Sequence, residues 1–444
     1  MLHTALLAIS MSALLAPALA AATRGAAADE ATFHDVRPIL ERRCQSCHRV
    51  GGVAPMALGT YAETRPWAKA IARQVSDGIM PPWFAEPGVG RFRNDPSLSP
   101  EELRTLLRWV ERGAPEGAPL PVEPAASVAE SSEWEIGDPD LVVQMPRGFD
   151  VPAEGVVDYV YVRIPLEHPG ERWLEAIEVR PTERSVVHHV DVFACATGCY
   201  ASLEPGLPSF LPLDATAQRP APDDRGDVFG IGEELLYSFL PGGDPWVLPE
   251  GRARLLPAGT ELLLNIHYQP NGEAVSDRTR VGLRFASAPP MQRVITIGVD
   301  NESLWIPAGA RDHRVLARFV LRQGMELLAL TPHMHYRGQA YEFTAVHPSG
   351  AREDLLRVPR YDFRWQLTYV LDPPKPLAAG TEIVCAATFD NSSGNAYNPD
   401  PARDVPWGRQ TSDEMMTAWV EVAVPVDADI RTLFAEAPVA VPAP

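Results

Sequence analysis

The sequence predicts a multidomain chain in which one small all-α domain precedes two all-β sandwich domains of jelly-roll type. Helical spacing with matching caps is confined to residues 30–117. From about Trp134 onward, short alternating or apolar runs are separated by Pro, Gly and Asp turns. The chain's 45 prolines are scattered through its middle and end, which favours short strands over long helices. Within that β region one turn-and-strand pattern occurs twice, suggesting two copies of one architecture.

Taken in order, residues 5–16 form an apolar run rich in Ala and Leu, followed by Ala18-Leu19-Ala20. The run is short for a membrane span, and Ala-x-Ala is a cleavage pattern, so residues 1–20 are expected to be a signal peptide, with His3 where Lys or Arg is usual. The mature chain is then expected to be exported, periplasmic or extracellular. No later segment reaches about 18 uninterrupted apolar residues, so no membrane span is expected in it. A length of 444 residues suggests about two to four domains. The formal charge of −19 argues against nucleic acid or anionic lipid as a partner.

Cys44-Gln45-Ser46-Cys47-His48 is the C-x-x-C-H signature of c-type haem attachment: two thiols for thioether bonds and a histidine beneath the ring. Its sixth ligand is expected from Met80, in Gly78-Ile79-Met80-Pro81-Pro82-Trp83, where paired prolines stiffen the loop. Met56 is the rival, and a methionine acting only as core filler is the third possibility. A helix is expected over 66–77, with Trp67, Ile71 and Val75 inward. Another follows the capping box Ser99-Pro100-Glu101-Glu102, with Leu103, Leu106, Leu107 and Val110 on one face. Together these features resemble a small class I cytochrome c over residues 30–117. Residues 118–133 read as a linker, long enough to let the helical domain move.

Strands are expected over 157–164, 172–179, 261–268, 314–321, 326–330, 341–346 and 382–389. The repeated pattern is Pro257-Ala258-Gly259-Thr260-Glu261 before one strand and Ala378-Ala379-Gly380-Thr381-Glu382 before another. It divides the region into 134–288 and 291–430 at Pro289-Pro290, with 431–444 as a tail. The histidines stand out chemically. His188 and His189 are adjacent, so they share a metal only at a strand end or bulge. His333 and His335, two apart on a strand, point to one face. Alone, a strand histidine such as His267 is more often an ordinary core or surface residue. His34, His168, His313 and His347 have no partner at ligand spacing.

Four motifs in order carry a resemblance to the copper type II monooxygenases, the group of peptidylglycine α-hydroxylating and dopamine β-monooxygenase. They are Val187-His188-His189-Val190 with Cys195, Ile266-His267-Tyr268, His333-Met334-His335 with Gly338, and Ser412-Asp413-Glu414-Met415. The resemblance implies an electron-transfer copper at His188, His189 and His267, and an oxygen-binding catalytic copper at His333, His335 and Met415. It implies two copper ions beside the one covalent haem c, and O₂, a small-molecule substrate and an electron donor as partners. Thioether ligation suits Cu(I) and argues against zinc. Family members usually draw on ascorbate, whereas the fused haem suggests a built-in relay here. Thr331, Thr417 and Trp419 replace the Arg, Asn and Tyr of the peptide-binding enzyme, so a peptidyl-glycine substrate is not expected; Trp419 reads as a core residue, the other reading being a ring that stacks on an aromatic group. Met416 replaces a family cysteine, which leaves Cys385 without its expected partner, while Cys195 and Cys199 are close enough in sequence to bridge. The alternative readings are a periplasmic copper-binding or electron-transfer protein without hydroxylation, and a sandwich with vestigial sites.

Overall fold

The computed structural model describes residues 31–118, 133–166, 168, 170–210, 227–229, 233–240 and 242–436. The expected signal peptide, most of the linker and the end of the tail lie outside them. Helices Phe33–Arg43, Ala68–Ser76 and Pro100–Glu111, with the short Tyr61–Thr64 turn, close over a core that includes Phe33, Val36, Leu40, Leu106 and Trp109. The last helix starts as its capping box requires. Ser99 Oγ accepts the Glu102 N–H at 3.1 Å, and the Glu102 carboxylate accepts the Ser99 N–H at 2.8 Å.

Two expectations are corrected in this region. Trp67 is 40% exposed instead of inward. Arg65–Trp67 forms a 3₁₀ turn around Pro66 and the α-helix begins only at Ala68, so Trp67 does not share the α-helical stripe. The helical region is also not held by a linker alone. Past Met80, the chain is laid along the second β unit, where the Trp83 ring lies 4.8 Å and the Phe92 ring 5.5 Å from that of Tyr369. Main-chain bonds accompany the rings: Arg93 N–H donates to Val370 O at 2.9 Å and Glu86 N–H to Arg357 O at 2.7 Å. Residues 115–118 also pack back, since Phe33 N–H and Trp109 Nε1 both donate to Pro115 O at 3.0 Å.

The rest of the described chain is β-sheet. One ten-stranded sheet runs Leu141–Gln144, Arg280–Phe285, Arg172–Arg180, Arg252–Leu256, Gln292–Asp300, Thr417–Pro425, Met325–His333 and Tyr369–Leu377, with two short strands beside this path. A four-stranded sheet, Val160–Pro165, Glu261–Tyr268, Val187–Cys195 and Glu233–Phe239, shares with its first half a core that includes Val162, Ile177, Val190, Ile266 and Leu283. A five-stranded sheet shares with the second half a core that includes Ile297, Phe319, Leu327, Phe343 and Val420. The two β units thus keep separate main cores, share one sheet, and meet in a small apolar cluster of Leu248, Val294, Leu328 and Ala423. The junction is a parallel pairing of Gln292 with Arg252 and Arg293 with Ala253, across the Pro289-Pro290 boundary. It leaves neither unit with an open edge at that point.

The repeated turns are alike in structure. Gly259 and Gly380 adopt φ of +77° and +81°, a conformation costly for residues with a Cβ, and feed the strands Glu261–Tyr268 and Glu382–Phe389. Among the described residues no helix is long and apolar enough to cross a membrane.

Candidate metal centres

The first histidine set is made by a bulge. His267 pairs with His189 across antiparallel strands, but its neighbour Tyr268 pairs with Val187, leaving His188 as the extra residue. A bulge breaks the alternation of side chains, and adjacent histidines come to one side. One ligand atom from each of His188, His189 and His267 lies within 4.8 Å of the others. Burial pushes the His188 imidazole down to about 4 and His267 to about 3; His189 falls well below the ordinary histidine value. All three are therefore neutral at pH 7, the form that binds metal. His189 Nε2 and His267 Nδ1 are buried without a hydrogen-bond partner among the described residues.

The second set is built differently from the expectation. Only His333 belongs to a strand, as the last residue of Met325–His333; His335 lies beyond it in a turn closed by the Gly338 N–H bonding to His335 O at 3.1 Å. Their rings lie 5.2 Å apart at 85°. His333 Nδ1 is hydrogen-bonded to the Gln366 side-chain oxygen, and His335 Nδ1 contacts Asp413 O at 3.3 Å. With Nδ1 engaged in both rings, each has Nε2 for a metal, and His335 Nε2 is buried and unpartnered. Burial again lowers both, His333 to about 4. Met415 lines the same cleft as His333 and His335. It precedes the strand Thr417–Pro425, whose Thr417 is the register partner of His333.

The cleft is walled by Tyr161, Phe193 and Trp419 and carries the polar groups Asp191, Asp300 and Asn265. Trp419, expected in the core, is in the cleft wall because alternation along its strand turns it away from the buried Ala418 and Val420. Its ring lies 5.7 Å from Phe193. The Asp191 carboxyl accepts a hydrogen bond from Ser238 Oγ at 2.5 Å.

The C-x-x-C-H segment follows directly on the first helix, with the Cys44 N–H still bonded to Leu40 O at 2.9 Å. Neither Cys44 nor Cys47 is in a disulfide, and burial pushes the Cys44 thiol up to about 12. His48 Nδ1 contacts the Met56 carbonyl at 3.2 Å, which leaves Nε2 for a metal. The Met56 side chain packs against the helical core, and the Met80 N–H bonds to Gln74 O at 3.3 Å. Cys195 and Cys199 form a disulfide, while Cys385 is buried and unbridged.

No family model matches the chain, and no curated protein matches it. Among solved structures, the infectious bursal disease virus Gx strain shares 9% identity, covering 65% of this chain and 73% of that chain with a TM-score of 0.19. The Gt strain shares 8% identity over the same proportions with a TM-score of 0.14. Likenesses this slight carry no argument about fold or function.

Gln366, Tyr159 and Phe363 surround the histidines but escape the sequence reading. A glutamine in an irregular loop, or an aromatic residue beside a strand, has no spacing that marks it as a ligand's neighbour. Glu414 is visible in its motif, yet its role as an acceptor for the turn at His335 is not.

Proposed function

We propose that the chain is an exported copper monooxygenase with a built-in haem c. It inserts one atom of O₂ into a C–H bond of a small-molecule substrate and reduces the other to water with two protons and two electrons, the electrons supplied one at a time by an external donor through the haem. The observation that carries this reading is the convergence of six donors into two neighbouring sets. The ligand atoms of His188, His189 and His267 lie within 4.8 Å, and His333, His335 and Met415 line one cleft. Three imidazoles tolerate both copper oxidation states, and an added thioether favours Cu(I), the form that meets O₂. Buried imidazole nitrogens without hydrogen-bond partners suit a bound cation.

Copper, when bound, supplies the oxygen and one-electron chemistry, and the protein's residues supply placement. Gln366 and the Asp413 carbonyl orient the imidazoles of the second set. Tyr161, Phe193 and Trp419 offer apolar surface to a substrate, while Asp191 and Asn265 offer hydrogen bonds. Cys44 and Cys47 would hold haem through thioethers, and His48 and Met80 would be the protein donors to its iron. The His48 contact to the Met56 carbonyl fits a ligand imidazole held in one orientation.

The test is metal and haem stoichiometry on protein matured with haem and exposed to copper, followed by oxygen uptake with candidate substrates. About two coppers per haem, one of them lost in Met415→Ala, with uptake coupled to a hydroxylated product, is the expected result. Two coppers without uptake would leave an electron-transfer protein. Zinc alone, or no metal, would sink the copper reading.

A further inference from the structure

Two aromatic rings stand between the histidine sets. Tyr159, directly before the strand Val160–Pro165, is 2% exposed. Its ring centroid lies 5.6 Å from His189, 5.2 Å from His267 and 6.1 Å from His335, so it packs against both sets at once. Phe363 runs parallel, 5.6 Å from His267 and 6.2 Å from His335. Of the two rings Tyr159 lies nearer to both His267 and His335, and it alone contacts His189.

We propose that Tyr159 is the bridge by which an electron passes from a metal at His188, His189 and His267 to a metal at His333, His335 and Met415. The proposal rests on the copper reading of the two sets. In each event one Cu(I) at the first set becomes Cu(II) and one Cu(II) at the second becomes Cu(I). No bond forms or breaks at Tyr159, and its hydroxyl keeps its proton. The first set is re-reduced by a one-electron donor, the chain's own reduced haem or added ascorbate. A packed ring suits this transfer because electrons tunnel more readily across contacting π-systems than across a gap.

The test uses the full-length protein with both sets loaded with copper. Electron paramagnetic resonance spectra are compared with those of the singly loaded His267→Ala and Met415→Ala proteins. The two single spectra identify which part of the doubly loaded signal belongs to each set. Samples mixed with ascorbate without oxygen and frozen at intervals should show the second-set Cu(II) signal falling together with the first. Tyr159→Phe, which keeps the ring, should preserve that rate. Tyr159→Leu should slow the second-set decay several-fold while first-set decay and copper content stay as in the parent protein.

Unchanged second-set decay in a fully loaded Tyr159→Leu protein would overturn the proposal. So would second-set decay in the parent protein that does not follow first-set decay, a measurement that stands even where Tyr159→Leu fails to fold. Either result leaves two bound coppers and the copper reading intact. Fewer than two coppers in the parent protein would overturn both.

Discussion

The Glu414 carboxylate accepts the main-chain N–H of His335 at 2.8 Å, and its other oxygen accepts that of Arg337 at 2.6 Å. Glu414 adjoins Met415 in sequence, so one buried side chain ties the turn carrying a histidine of the second set to the segment carrying its thioether. Glu414→Ala removes both acceptors, and each buried donor left unpaired costs about 1–3 kcal/mol. The expected outcome is a lower melting temperature and loss of the second-set copper, with the first-set copper retained. Glu414→Gln keeps an acceptor oxygen and should be milder. Calorimetry and metal analysis on the same samples check both.

For the first set, His267→Val separates metal binding from folding. Valine suits a strand interior, and the change removes a buried nitrogen that has no hydrogen-bond partner among the described residues. The metal-free protein should therefore melt no lower than its parent. The rise in melting temperature that copper produces by binding only the folded state should shrink, because one of its two sites is gone. A markedly lower metal-free melting temperature would show that His267 serves the fold rather than a metal.

Trp83→Ala tests the strap between the helical region and the second β unit. Trp83 packs on Phe92 at 5.9 Å and on Tyr369 at 4.8 Å. It is only partly buried, so the cost should fall below about 3 kcal/mol, the low end for truncating a core aromatic. Hydrogen exchange should quicken over residues 83–94, where the Arg93 N–H donates to Val370 O, and at Val370, whose own N–H donates to Asn94 Oδ1 at 3.0 Å. Exchange in the helix Pro100–Glu111 should stay slow, since its core does not include Trp83.

Acid should loosen the helical region through Glu102. Burial opposes its ionisation, but the Ser99 N–H, Arg43 and Arg42 outweigh that and hold its carboxyl below the ordinary value. A carboxyl depressed in the folded state stabilises fully above its unfolded pKa, and that contribution is lost as pH falls through the folded pKa. Glu102→Gln keeps an acceptor for the Ser99 N–H but loses the charge facing Arg43 and Arg42, and should therefore lower stability near neutrality by about 0.3–1 kcal/mol. It should also flatten the acid limb of the profile. Urea unfolding followed across pH by helical circular dichroism reads both effects.

Local features were legible in the sequence. The Ser99-to-Glu102 capping box, the strands Glu261–Tyr268 and Glu382–Phe389, and the glycine turns that feed them all stand where spacing and turn chemistry predict. Each depends on contacts within a few residues, which the chain carries whatever its fold. That His188 and His189 need a strand end or a bulge was also readable, because alternation along a strand is a local rule.

Tertiary structure alone decided the rest. Whether a bulge occurs at His188 depends on which residue of the Glu261–Tyr268 strand faces His189, a matter of register between distant segments. The shared sheet depends on Arg252 and Gln292 meeting edge to edge, and no periodicity announces which edges meet. Trp67 turned outward because a 3₁₀ turn shifted the phase of the helix that follows. Tyr159 and Gln366 came to the histidines from separate segments through packing, and composition and motif spacing describe only the order of residues along the chain. What the sequence determined by itself was the donors and the local elements that carry them; which donors face one another was settled by the non-local pairing and packing of strands.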